Sequence, residues 1–140
     1  MIFVCAMTMA QTNAYPLLPM PQNYKVTDKS FAMGKVKLST PVLKSEWEAF
    51  IVNAGGELAD KAAAEIKIEL LPVIDGVKLN PDEAYRLSVS GKLIKIEAVT
   101  ERGVYWALQT LRQLEKKKGK KSLFAGCEIV DWPAFRIRGF

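Results

Sequence analysis

Apolar positions along this chain follow two periods. Over Glu101 to Lys118, ERGVYWALQTLRQLEKKK, they recur at Val104, Ala107, Leu108, Leu111 and Leu114, one stripe of a 3.6-residue helix. Glu101 opens the first turn, three lysines crowd the last, and Gly119 stands where a left-handed C-cap residue would, so the pattern predicts a helix running to Lys118. Further upstream, Ser45 and Glu48 have the S-x-x-E spacing of a capping box. Trp47, Phe50, Ile51 and Ala54 then repeat at helical spacing before Gly55-Gly56, which predicts the first helix. The alanine-rich stretch from Glu57 to Ala64 fits an extension of that helix or an irregular segment.

Elsewhere the period is two. Lys25 to Asp28 and Phe31 to Leu38 alternate in part, with Val36 and Leu38 on one face and Lys35 and Lys37 on the other. Glu65 to Leu71 sets Ile66, Ile68 and Leu70 against Lys67 and Glu69, the pattern of a strand with one buried and one wet face, and Pro72 ends it. After the turn signals Asp75-Gly76 and Asn80-Pro81-Asp82, Tyr85, Leu87 and Val89 share one face, as do Ile94, Ile96 and Ala98. The short Ser90-Gly91-Lys92 connection makes these two segments an antiparallel hairpin that leads into the Glu101 helix. Leu123 to Val130 reads as one further strand. Strands of this kind with two amphipathic helices predict an α+β fold, a mostly antiparallel sheet with two helices packed on one face.

On the helical wheel Trp106 falls away from the apolar stripe, beside Gln109, Thr110 and Gln113. That makes a polar, uncharged face carrying one large aromatic. Two readings stand: a surface for a partner, or a partly exposed Trp laid over a neighbouring loop.

Composition narrows the chemistry. At 140 residues, 49% hydrophobic and 25% charged, the chain fits one globular domain with a single core. The net charge of +5 is concentrated in Lys116, Lys117, Lys118, Lys120 and Lys121. With no interleaved aromatics to stack on bases, this run reads as a solvated helix terminus, and no nucleic-acid partner is expected. There are two cysteines and no histidine, so Cys/His zinc sites, Ser-His-Asp triads and Cys-His dyads lack their parts. No metal, cofactor or catalytic residue is assigned within this chain, and Cys127 is expected to be a small buried hydrophobe.

Residues 1 to 14 read as an export signal and leader. Met1 to Ala10, MIFVCAMTMA, is a short apolar run with Thr8 and Ala10 placed as for signal-peptidase cleavage, although no Lys or Arg precedes it. Lipidation of Cys5 is disfavoured, because Val4 stands where a lipobox has a small residue. The run is too short to span a bilayer as a helix, and nothing later comes closer. Tyr15 to Tyr24 carries three prolines and reads as an extended lead-in. The expected location is outside the cytoplasm, periplasmic or extracellular.

Three stretches together resemble one family. They are Glu83-Ala84-Tyr85-Arg86-Leu87-Ser88-Val89, then Gly103 to Leu114 (GVYWALQTLRQL), then Asp131-Trp132-Pro133 through Arg138-Gly139-Phe140. In this order they are similar to the N-terminal accessory domain of family 20 glycoside hydrolases, the β-N-acetylhexosaminidases, with its junction to the catalytic barrel. The resemblance implies an accessory α+β domain over residues 15 to 130 and, over 131 to 140, a junction with the first strand of a (β/α)8 barrel that this chain does not include. It implies hydrolysis of terminal N-acetyl-β-hexosamines with retention, the substrate's own acetamido oxygen acting as nucleophile, by an Asp-Glu pair at a barrel strand end. Glu128, Asp131 and the other carboxylates here do not match that pair, so the fragment alone is expected to be inactive.

One substrate-binding residue carries over: Arg138 matches the family's arginine that hydrogen-bonds hydroxyls of the terminal sugar. The resemblance also supplies a partner for the Trp106, Gln109 and Gln113 face. With Trp132 and Phe135 these residues are expected to form an interdomain contact with the barrel of the same polypeptide, glycans being the ligands of the complete enzyme. Two alternatives remain at this stage. One is the accessory domain of a family 84 or hyaluronidase-like hydrolase, which has a similar domain and Arg-Gly junction. The other is a free-standing glycan-binding module using the lysine run.

Overall fold

A computed structural model describes residues 23–77 and 81–132. Within these residues ten strands and two helices follow one another: β1 (Asn23–Val26), β2 (Phe31–Ala32), β3 (Lys35–Ser39), α1 (Lys44–Asn53), β4 (Glu57–Leu58), β5 (Ala64–Leu70), β6 (Tyr85–Val89), β7 (Leu93–Ala98), α2 (Glu101–Leu114), β8 (Glu115–Lys118), β9 (Lys121–Phe124) and β10 (Cys127–Asp131). A 3-10 turn, Pro81–Glu83, precedes β6.

Seven strands form one sheet in the order β1-β10-β6-β7-β5-β3-β4. The half from β1 to β7 is antiparallel, and β7, β5, β3 and β4 run parallel. Parallel neighbours need a crossover, and α1 supplies it between β3 and β5. β2, β9 and β8 make a second, antiparallel sheet. The α+β class therefore holds, with the parallel half of the large sheet added to the antiparallel part that the alternation predicted.

Alternation decides which face is buried. Val36, Ile66, Ile68, Ile94, Ile96, Leu87, Val89 and Ile129 turn to one side and join one core with Trp47, Phe50 and Ile51 of α1 and Val104, Leu108 and Leu111 of α2, so both helices cover the same face. Phe124 of the small sheet closes this core against Phe50, ring centroids 5.5 Å apart. The other face is a network of opposite charges: Arg86–Glu97, cross-strand partners, at 3.3 Å; Lys95–Glu97, two residues apart on β7, at 3.7 Å; and Lys95–Glu69, a diagonal pair, at 3.9 Å. A hollow of about 490 Å³ lies over its antiparallel half, lined in part by Arg86, Lys95, Glu97 and Glu128.

Three local expectations are corrected. Ser45 does not cap α1. The helix starts after Leu43, whose backbone is left-handed (φ 56°), and Trp47 N donates to Leu43 O at 3.0 Å. The preceding turn is closed by the Thr40 hydroxyl, which accepts from Val42 N at 3.2 Å, and Leu43 packs on the core. At its far end α1 stops as the sequence indicated: Gly55 is left-handed (φ 85°), Gly55 N donates to Val52 O at 3.0 Å and Gly56 N to Ile51 O at 2.8 Å, a Schellman motif.

The second helix ends at Leu114, four residues before Lys118. Glu115 is extended (φ −67°, ψ 131°), and Glu115–Lys118 pairs with β9 in a register that places Glu115 opposite buried Phe124. Gly119 does have positive φ (70°), but as the first residue of a two-residue hairpin loop, the type II′ arrangement. The strand expected over Leu123 to Val130 is two strands in different sheets, broken at Ala125-Gly126. Thr27 N donates to Gly126 O at 2.9 Å, and a side chain at 126 would meet Lys29 O at 2.3 Å, so a backbone crossing occupies the break.

Candidate interdomain face

The strongest sequence unit, hairpin β6–β7 followed by α2, builds a polar cluster where the helix begins. Thr100 is the N-cap: its hydroxyl accepts from Arg102 N at 3.2 Å and donates to Asp82 O in the 3-10 turn. Gly103 lets the helix lie against β6, since a Cβ there would stand 2.2 Å from Ala84 O and 2.9 Å from the Ala98 side chain. That close approach buries Glu83. Its carboxylate accepts from Trp106 Nε1 at 3.2 Å through one oxygen and from Arg102 Nη1 at 3.3 Å through the other. Arg102 also lies 3.6 Å from Asp82. One turn further, Thr110 is buried; its hydroxyl is 2.5 Å from Tyr85 Oη and donates to Trp106 O at 3.1 Å.

The residues singled out from the sequence are thus sorted by depth. Trp106 is half-buried, packed on the core edge with its indole nitrogen on the 3-10 turn, the geometry of a Trp laid over a neighbouring loop. Thr110 belongs to the interior. Gln109 is half-exposed and Gln113 exposed, and they share the outward side of α2 with Arg102, Tyr105 and Arg112. Trp132 is buried at the end of β10 beside buried Asp131. Phe135 and Arg138 lie outside the described residues, as do the leader and most of the proline-rich lead-in.

Two participants carried no sequence signal for this role. Glu83 lies 19 residues before Arg102 and 23 before Trp106, so no helical or strand period links them. Tyr105 was absorbed into the helix pattern, yet it is 44% exposed, stands edge-on to Trp106 at 5.3 Å between ring centroids, and borders a hollow of about 400 Å³ with Leu43, Asp82 and Arg102. A large aromatic left in water beside a shallow hollow and two glutamines suits protein–protein packing better than chemistry. Among the described residues no group of His, Cys, Asp and Glu could hold a metal ion, and no helix is long and apolar enough to cross a membrane.

Comparison with known proteins places this architecture. Residues 14–132 match the family model for glycosyl hydrolase family 20, domain 2, and the chain belongs to that family. Among solved structures it is similar to a family 20 exo-β-N-acetylglucosaminidase from Vibrio harveyi, with 30% identity and TM-score 0.68 over 91% of this chain and 20% of that one. A chitobiase from Flavobacterium johnsoniae (24% identity, TM-score 0.60, 95% and 22%) and a β-N-acetylhexosaminidase from Bacteroides fragilis (20%, TM-score 0.61, 84% and 25%) share the fold. The chain spans about a fifth to a quarter of the length of these enzymes.

Proposed function

We propose that this chain is the non-catalytic N-terminal domain of a β-N-acetylhexosaminidase, bracing a catalytic (β/α)8 barrel in the same polypeptide and inactive alone. The observation that carries the reading is the family match over residues 14–132, joined to relatives several times longer that are glycoside hydrolases. The match favours family 20 over the family 84 alternative. In the complete enzyme, terminal N-acetyl-β-hexosamines are hydrolysed with retention. The 2-acetamido oxygen attacks the anomeric carbon, a Glu protonates the leaving oxygen, and an adjacent Asp orients the acetamido group and stabilises its developing positive charge. Both carboxylates belong to the barrel. Arg138 is the residue of this chain that would donate its fork of N–H groups to hydroxyls of the terminal sugar. The apolar Met1–Ala10 stretch supports export to the periplasm or the extracellular space, which cell fractionation tests.

The bracing surface is the outward side of α2, centred on Gln109 and Gln113, and the aromatic residues proposed to join it in the interdomain contact are Trp106, Trp132 and Phe135. Because Trp106 also serves Glu83, its removal cannot isolate the interface. Gln109→Lys in the full-length protein does, since that side chain lies outside the core. Bracing requires a lower melting temperature and faster loss of activity on p-nitrophenyl N-acetyl-β-glucosaminide; wild-type values for both would overturn it. Full-length protein inert on that substrate would overturn the hexosaminidase reading itself.

A further inference from the structure

The lysine run is a strand hairpin rather than a helix end, and the difference removes its ordinary explanation. Lysines in a last helical turn are stabilised by the macrodipole, but here only Lys117 meets helix carbonyls: its Nζ donates to Asn53 O at the end of α1 at 2.8 Å and lies 3.1 Å from Glu115. Lys116, Lys118, Lys120 and Lys121 are exposed, and among the described residues they make no ion pair or side-chain hydrogen bond. The register sets Lys118 directly opposite Lys121 and Lys116 opposite Leu123, so three ammonium groups share the outward side of the hairpin. Like charges facing each other across a ladder are destabilising, and among the described residues no acidic side chain offsets them.

The hairpin that carries them is fixed. Ser122 N donates to Ala54 O and Met33 N to Ser122 O, both at 2.9 Å, and the Ser122 hydroxyl donates to Glu115. Lys120 O passes so near Gly55 that a Cβ there would be 2.1 Å away. The result is a preorganised cationic platform beside a hollow of about 310 Å³ lined by Lys116, Lys117, Lys118 and Leu123. No aromatic stands between Glu115 and Leu123 to stack a base, and half-buried Leu123 is the one apolar side chain lining the hollow, too little to anchor in a bilayer.

We propose that this hairpin is a binding site for an anionic polysaccharide, whose carboxylate or sulfate groups meet Lys116, Lys118, Lys120 and Lys121. The choice of a polysaccharide rests on the hexosaminidase reading above. The site would hold polymer on the accessory domain, apart from the hydrolytic chemistry.

The test uses full-length protein with heparin and polygalacturonate as probes, and oligo(dT) as a polyanion with bases. K116S/K118S/K120S/K121S, which spares Lys117, is compared with K25S/K29S/K61S/K92S, which removes the same charge from other exposed positions. The hairpin variant is expected to weaken glycan binding about tenfold or more and to lower the slope of log affinity against log salt by about one per contacting lysine. The control variant is expected to bind like wild type. Equal weakening by both variants would overturn the site, since net charge would then explain binding, and oligo(dT) bound as tightly as the glycans would overturn the polysaccharide. If the quadruple variant melts lower than wild type, K118S/K121S takes its place with the same criteria. Activity on p-nitrophenyl N-acetyl-β-glucosaminide is read in parallel. Hairpin-dependent retention by an inactive wild type would sink only the hexosaminidase reading; activity without such retention would sink only the site.

Discussion

Trp106 Nε1 donates to Glu83 Oε1 at 3.2 Å, while Arg102, one helical turn earlier, takes the carboxylate's other oxygen at 3.3 Å. The two donors sit at i and i+4 on α2 and clamp the turn that launches β6, so the helix is tied to the sheet by a buried acid as well as by its apolar stripe. Family resemblance drew attention to the Glu83-Ala84-Tyr85 stretch, and the structure gives its acid a packing reason.

Removing either side of this clamp should cost stability unequally. Glu83→Ala leaves the indole N–H without its acceptor and the guanidinium without its buried partner, and should cost about 2 kcal/mol in urea unfolding. Glu83→Gln keeps an acceptor for Trp106 and should cost about half as much. Trp106→Phe should also cost about 1 kcal/mol, and with Glu83→Gln the two changes should combine to less than their sum. Strict additivity would show that the contact contributes nothing.

Gly103→Ala sets two effects against each other. Alanine is favoured over glycine in a helix interior by about 1 kcal/mol. Here the added methyl would stand 2.2 Å from Ala84 O, a backbone atom that cannot swing aside. Overpacking of that kind typically costs about 1–3 kcal/mol and more where the neighbour is rigid, so the net change should be destabilising by about 2 kcal/mol. A variant as stable as wild type would mean that α2 can shift off β6 at little cost.

Gly55 and Gly119 test the hairpin's docking. Both have positive φ, 85° and 70°, so alanine is strained at each by about 1 kcal/mol. A Cβ at 119 meets open space, whereas one at 55 meets Lys120 O at 2.1 Å. Gly55→Ala should therefore lower the melting temperature well beyond Gly119→Ala, and equal shifts would place the hairpin away from α1.

What the sequence made legible follows from how local each signal is. The β6–β7 hairpin, α2 and the buried faces of β5, β6 and β7 rest on runs of five to fourteen residues with one period, and the structure has them where the pattern put them. The misplaced boundaries depend on partners far along the chain. Lys116 to Lys118 continue a helix by propensity but are drawn into a strand because Phe124 must be buried opposite Glu115. Ser45 has cap spacing, yet Leu43 sets the register because Trp47, Phe50 and Ile51 must reach the core. The outward Gln109 and Gln113 were legible from the wheel alone, whereas Glu83 was not, since its donors arrive only when α2 folds back over the 3-10 turn.

Cys127 gives a pH signature with a definite sign. It is fully buried in β10, as expected of a free cysteine acting as a small hydrophobe, and burial pushes its thiol from 9.0 up to about 12, with the adjacent Glu128 charge adding to the rise. The raised value means that the folded state keeps its proton where the unfolded chain has lost it. Between pH 9.0 and about 12 the unfolded state therefore binds fewer protons, and stability falls as pH rises. The contribution is fully present below pH 9.0 and declines above it by at most about 1.4 kcal/mol per pH unit. Denaturant unfolding of wild type and Cys127→Ala at a series of pH values should show stability curves parallel below pH 9.0 and converging above it, because the variant lacks the titrating thiol. In the same range Cys127 of the folded protein should resist iodoacetamide until unfolded, as thiolate is the reacting form, and peptide mapping separates its modification from that of Cys5. Curves that stay parallel throughout, or rapid alkylation of Cys127 in the folded chain at neutral pH, would show that the strand opens and the thiol meets water.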